Sequence, residues 1–145
     1  MNGFNKNYLN ELKNEHKTIC RILEDIKGFI QTNNAQGIAT HMDLIRQYLL
    51  AHLKKEDDKP YGDLLKEAKD KNIELVAITV NIFSTAMKGI AARTLKFFDK
   101  YHAEDEIIKH IAEFNKDFQG AYEDIQKRVD NEEKMLYPMY EKHCC

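Results

Sequence analysis

The sequence is poor in the residues that interrupt regular structure. Two prolines and six glycines in 145 residues leave few breaks, which favours long helices over short strands joined by tight turns. Three cysteines, Cys20, Cys144 and Cys145, do not form a paired disulfide framework. Neither sign of charge dominates. A formal net charge of −2 supplies no basic surface for nucleic acid or an anionic membrane. No apolar run approaches the roughly 20 residues of a membrane span. The N-terminal MNGFNKNYLN also lacks the apolar stretch of a secretory signal. These absences point to a cytoplasmic chain with neither membrane nor nucleic-acid partners. Its length suits a single domain, 1–145, with a real core.

Helical periodicity is abundant. Four segments carry apolar residues at steps of three and four. The first is Leu9, Leu12, His16, Ile19, Leu23, Ile26 and Ile30, and the second Ile38, Met42, Ile45, Leu49, His52 and Glu56. The third runs from Val76 to Phe97 and the fourth from Ile107 to Leu136. Breaks are predicted at residues 32–36, at 57–70 around Pro60 and Gly62, and near 101–104. Two of these connections are short, so neighbouring helices run antiparallel, as in an all-α, up-down-up-down four-helix bundle. Pro138 is expected to bend or end the last helix. His143, Cys144 and Cys145 beyond it are expected to form a frayed tail with reactive thiols.

Polar residues interrupt the apolar stripes at four places: His16, His52, Glu56 and Glu132. At about 1.5 Å of rise per residue, antiparallel packing brings His16 and His52 to the same height within roughly one turn. Counting back from the turn near Tyr101 places Glu132 at the same end of the bundle, level with roughly residues 73–80 of the third helix. No histidine of the third helix reaches that level, and His41, His102, His110 and His143 lie away from it. Buried carboxylates are costly unless a cation compensates them. Two segments, HLKKEDDKPY from His52 and RVDNEEKMLYP from Arg128, repeat one pattern with a histidine in one copy and an arginine in the other. A metal ion is one possible cation for such a pocket. Arg128 is another.

In NEHKTI around His16, HLKKED at 52–57 and NEEKMLYP at 131–138, the chain resembles the hemerythrin-like (HHE cation-binding) family over nearly its whole length. The resemblance implies a four-helix bundle holding non-haem iron, with His16, His52, Glu56 and Glu132 at ligand positions. It implies binding of dioxygen or nitric oxide, or sensing of iron or redox state, in the bacterial cytosol. Two departures reduce the ligand set. Arg128 stands where the fourth helix usually has a histidine, and the third helix has none. Two histidines and two carboxylates suffice for one divalent ion, whereas a di-iron site needs more nitrogen. Arg128 stays protonated; pointing inward it competes for the acids fork-to-fork, and pointing outward it leaves a mononuclear or degenerate iron site. The alternative is a metal-free interaction protein resembling bacterial anti-sigma regulators, matched by Arg128, Glu132 and Glu133. No enzyme activity is expected, although ferroxidase or peroxidase chemistry suits the same centre.

Overall fold

The computed structural model describes residues 3–145; residues 1 and 2 of the expected single domain lie outside the described residues. In chain order the elements are α1 (Gly3–Gln31), α2 (Ala35–Glu56), a π-helical turn (Asp57–Tyr61), α3 (Gly62–Asp70), α4 (Glu74–Lys100), α5 (Glu104–Lys109), α6 (Ile111–Asn131), a second π-helical turn (Glu132–Leu136) and α7 (Tyr137–Cys144). The π turns join α2 to α3 and α6 to α7 without a break, so four long rods form the all-α bundle that the periodicity predicts. α1 packs on α2, α4 on α3 and α6, and the short α5 on α2. At the α1–α2 turn Asn33 takes the left-handed conformation, φ 55°, which Asn tolerates better than most residues. Asn34 then caps α2 by accepting a bond from the Gly37 amide at 3.0 Å.

The core has two parts. One contains Ile19, Leu23, Ile45, Phe97, Phe114 and Phe118. The other contains Leu9, Leu12, Leu64, Val80, Phe83 and Tyr140. On three rods a polar gap separates the two sets: His16 lies between Leu12 and Ile19, His52 and Glu56 between Leu49 and Tyr61, and Arg128 and Glu132 between Ile125 and Leu136. All five polar residues are buried. The gap lies at one depth because each rod changes from one core to the other at the same level.

Three expectations are corrected. Residues 57–70 are not a loop: the helix widens into a π turn at Asp57–Tyr61 and continues as α3. Pro138 does not end the last helix either, because it sits in the first turn of α7, just past the second π turn. A proline clashes with the carbonyl four residues back and withdraws one N–H. The wider turn beside each proline absorbs both effects. On α4 the change of core falls between Ile90 and Phe97, at the buried Thr94, and the Met87 carbonyl accepts from Arg128 at 3.0 Å; the level is not residues 73–80. α5 is a separate helix that ends at Lys109, so the axial count along the last rod starts at Ile111.

The tail is docked rather than frayed. Tyr140 donates to Asp63 Oδ2 at 2.6 Å, and the Asn5 amide donates to the Cys144 carbonyl at 2.9 Å. Cys144 and Cys145 are half-buried against the second core. Burial first, then Asp63 and Glu67, pushes the Cys144 thiol up to about 12, and it is the thiolate that reacts. At about pH 8, alkylation of Cys144 in the folded chain is expected to be slower than in the urea-unfolded chain by roughly tenfold or more. Peptide mass spectrometry measures this, and equal rates would show α7 to be undocked.

α4 departs from the sequence reading in one further way. By length and composition it is apolar enough to cross a membrane, because its polar members between Leu75 and Met87 are all uncharged. Here it is a bundle rod with Val80, Phe83, Met87 and Ile90 turned inward, while Leu75, Ile78 and Ile82 are exposed.

Candidate metal centre

His16 comes from α1, His52 and Glu56 from the last turns of α2, and Glu132 from the first residue of the second π turn. They are 2%, 2%, 0% and 1% exposed, and one ligand-type atom from each lies within 4.8 Å of the others. The two imidazole centroids are 4.7 Å apart. The structure thus gathers all four residues that the stripes single out. It leaves the other histidines elsewhere: His41 bonds the Gly37 carbonyl at 3.0 Å and His102 the Asp99 carbonyl at 2.9 Å.

Two acids outside this set orient the rings. Glu15 Oε1 is 2.8 Å from His52 Nδ1, and Glu133 Oε1 is 3.3 Å from His16 Nδ1. A carboxylate facing Nδ1 favours the proton there and leaves the Nε2 lone pair directed inward, the arrangement that orients metal-bound histidines. Nε2 of His52 is 3.0 Å from Glu56 Oε1 but out of line for a hydrogen bond, so this buried nitrogen has no hydrogen-bond partner. Nε2 of His16 is 3.0 Å from Glu132 Oε1. Two inward imidazole nitrogens and two carboxylates within one small space are a donor set that fits a divalent first-row metal ion. Sequence reasoning missed Glu15, and named Glu133 only for the metal-free alternative, not as a partner of His16. Each adjoins a stripe residue, and only the helix-to-helix contact shows what it faces.

Arg128 points inward. It is 6% exposed, which removes the outward alternative. Nor does it grip one carboxylate fork-to-fork. Its Nε donates to Glu132 Oε2 at 3.1 Å, Nη2 lies 3.5 Å from Glu56 Oε1, and Nη1 donates to the Met87 carbonyl. The guanidinium therefore spans both acids, sharing Glu56 Oε1 with His52, and uses α4 backbone as its third partner. The arginine copy of the repeated segment thus brings a fixed cation into the pocket that the other copy lines with His52 and Glu56.

The charges divide accordingly. Burial works against the anionic form of Glu56, but the close approach and charge of His52, with Arg128, outweigh it and hold Glu56 well below the usual carboxylate range. Burial and the neighbouring Glu56 push Glu132 well above it, since two close carboxylates resist ionising together. Burial and His52 lower His16. For His52 burial opposes the charge, but Glu56 and Glu15 raise its pKa on balance. Without an ion, a proton on Glu132 is well placed to be donated to His16 Nε2.

The π turns bring in tyrosines that the stripes do not predict. Tyr61 and Tyr137 each follow their glutamate by five residues. In an α-helix a residue five positions on points about 140° away, whereas a π turn, bonded i to i+5, returns it to the same face. Tyr137 is fully buried. Its hydroxyl donates to Glu56 Oε2 at 3.0 Å and lies 3.1 Å from His16 Nε2. The Tyr61 hydroxyl is buried with no hydrogen-bond partner. A cavity of about 10 Å³ adjoins the cluster, walled by Ile19, Leu49, Ile90, Thr94 and Ile125. That is close to the room one water-sized molecule occupies.

The family profile described as Hemerythrin HHE cation binding domain matches residues 7–140. The chain belongs to that family, whose name describes cation binding, and its four buried His/Glu residues are a group able to hold a metal ion. No curated protein and no solved structure matches the chain.

Proposed function

We propose that the chain is a cytoplasmic, non-haem iron-binding protein holding a single ion among His16, His52, Glu56 and Glu132, and that it senses or binds dioxygen, nitric oxide or redox state rather than turning over a substrate. One observation carries the reading. Both imidazoles are held through Nδ1 by carboxylates, and the buried Nε2 of His52 is left without a hydrogen-bond partner. That is a costly arrangement in a core with no cation to meet it. A single ion follows from Arg128, which takes the place of further nitrogen ligands and supplies the positive charge a second ion would bring. When bound, iron supplies Lewis acidity and one-electron redox chemistry. The protein's residues do the rest. Glu15 and Glu133 hold the rings in register, Arg128 steadies the carboxylates, and the apolar wall of the small cavity favours a small uncharged ligand over bulk water.

The test is reconstitution with ferrous iron under argon, desalting, and metal analysis. About one iron per chain is expected, and retention of none would end the proposal. Glu15→Gln is expected to weaken iron binding by roughly 10–100-fold, since loss of a ring-orienting partner typically costs that much. Competition against a chelator measures the change; unaltered affinity would show that Glu15 does not orient His52.

A second reading has its own support. Arg128 already compensates Glu132 and Glu56, and the exposed Leu75, Ile78 and Ile82 on α4 suit a metal-free regulatory protein that binds another protein. Pull-down of RNA polymerase subunits and sigma factors by iron-free chain distinguishes this reading. A specific partner retained in the presence of a chelator would favour it.

A further inference from the structure

We propose that Tyr137 is a ligand of the bound ion, through its phenolate oxygen, which makes the donor set two imidazole nitrogens and three oxygen ligands. The inference rests on the metal-binding reading above and deepens it.

The geometry comes first. Nε2 of His16, the atom that Glu133 leaves free to ligate, faces two oxygens, Glu132 Oε1 at 3.0 Å and Tyr137 Oη at 3.1 Å. The same Oη is 3.0 Å from Glu56 Oε2. Tyr137 therefore touches two of the four candidate ligands, His16 and Glu56, at distances close to the 3.0 Å that separates His16 from Glu132 and His52 from Glu56. Its ring also stacks on His16, with centroids 5.3 Å apart, while its hydroxyl reaches the donor cluster. The second π turn produces this placement, because only a turn bonded i to i+5 puts Tyr137 on the face of Glu132.

Charge supplies a separate argument. Glu56 and Glu132 carry two negative charges when both are ionised, and Arg128 cancels one of them. The inner set is then one negative charge short of a divalent ion, and two short of a trivalent one. A phenolate restores one charge where the arginine removed it, and phenolate is a hard donor suited to ferric iron. A phenol that binds a metal ion gives up its proton, because the cation stabilises the deprotonated form of the groups it binds. The phenolic proton leaves as the ion enters, so that loading releases one proton more than the glutamates and imidazoles account for.

The experiment loads the full chain with ferrous iron under argon, admits air, and records the visible absorption and resonance Raman spectra beside the iron content. A phenolate-to-ferric charge-transfer band with tyrosinate ring modes is expected. Tyr137→Phe, which keeps the ring and its packing, is expected to lose the band while retaining iron; Tyr61→Phe is expected to keep both. Oxidised, iron-loaded wild type without the band would overturn the proposal and leave the metal-binding reading standing. So would a band that survives in Tyr137→Phe or disappears in Tyr61→Phe. Wild type that retains no iron would overturn both. Should Tyr137→Phe fail to fold, the Raman ring modes of the wild type decide the matter by themselves.

Discussion

Arg128→Leu is expected to destabilise the iron-free chain by about 3–5 kcal/mol, the usual cost of removing one partner from a buried ion pair. The guanidinium is buried and reaches Glu132, Glu56 and the Met87 carbonyl. Leucine covers part of its volume and supplies none of its charge. Glu56 and Glu132 would then face each other without a cation, and the Met87 carbonyl would lose its donor. Because Glu132 is already easy to protonate, part of the penalty is relieved by proton uptake, so the loss belongs at the lower end of that range. Denaturant unfolding with a chelator present measures it. Adding ferrous iron is expected to restore much of the lost stability, since a ligand bound only by the folded state stabilises it. An unchanged midpoint without metal would show that the two acids need no counterion, and would remove the argument for a compensated pocket. Arg128→His is expected to raise the iron content above that of the wild type, by exchanging the competing cation for a nitrogen ligand. Unaltered stoichiometry would show that arginine is not what restricts the site.

Replacing His52 by alanine is expected to abolish iron retention while leaving the bundle folded. His52 contributes an inward Nε2 with no hydrogen-bond partner to lose, and its Nδ1 bond to Glu15 lies at the edge of the cluster. Loss of a direct ligand should weaken binding more than the roughly 10–100-fold expected for a ring-orienting neighbour. The stability cost combines a small cavity with one lost hydrogen bond, about 1–3 kcal/mol. Glu15 can keep its pairing with Lys55 Nζ at 2.5 Å. Metal analysis after desalting, beside circular dichroism of the same sample, separates the two effects. Iron retained at wild-type stoichiometry would show that the two-histidine pocket is not the binding site.

Much of this site is legible in the amino-acid sequence. The stripes of α1 and α2 place His16, His52 and Glu56 on buried faces because a 3.6-residue period records which side of a helix avoids water. The heights of His16 and His52 follow from counting along two helices joined by a short turn. The same counting fails on the far side of the bundle, where α5 is a separate helix and the count belongs to α6 alone. Glu15, and the link from Glu133 to His16, escape notice because an acid beside a stripe looks like any solvated acid until a neighbouring helix brings a histidine against it. Tyr137 escapes because a period of 3.6 is the wrong ruler across a π turn.

The sequence by itself determined the bundle, the family and the four polar positions that lie inside it, since these depend on local periodicity and on residue type. It could not decide the direction of Arg128. A long side chain at the edge of a stripe has comparable routes to water and to the core, and the choice falls to distant partners: Glu56 on α2 and the carbonyl of Met87 on α4. Nor could it decide that each glutamate is followed by a widened turn that swings a tyrosine back toward the cluster. Those features come from the packing of whole rods against one another, where the cost of an unpaired buried charge is set by groups dozens of residues away in the chain.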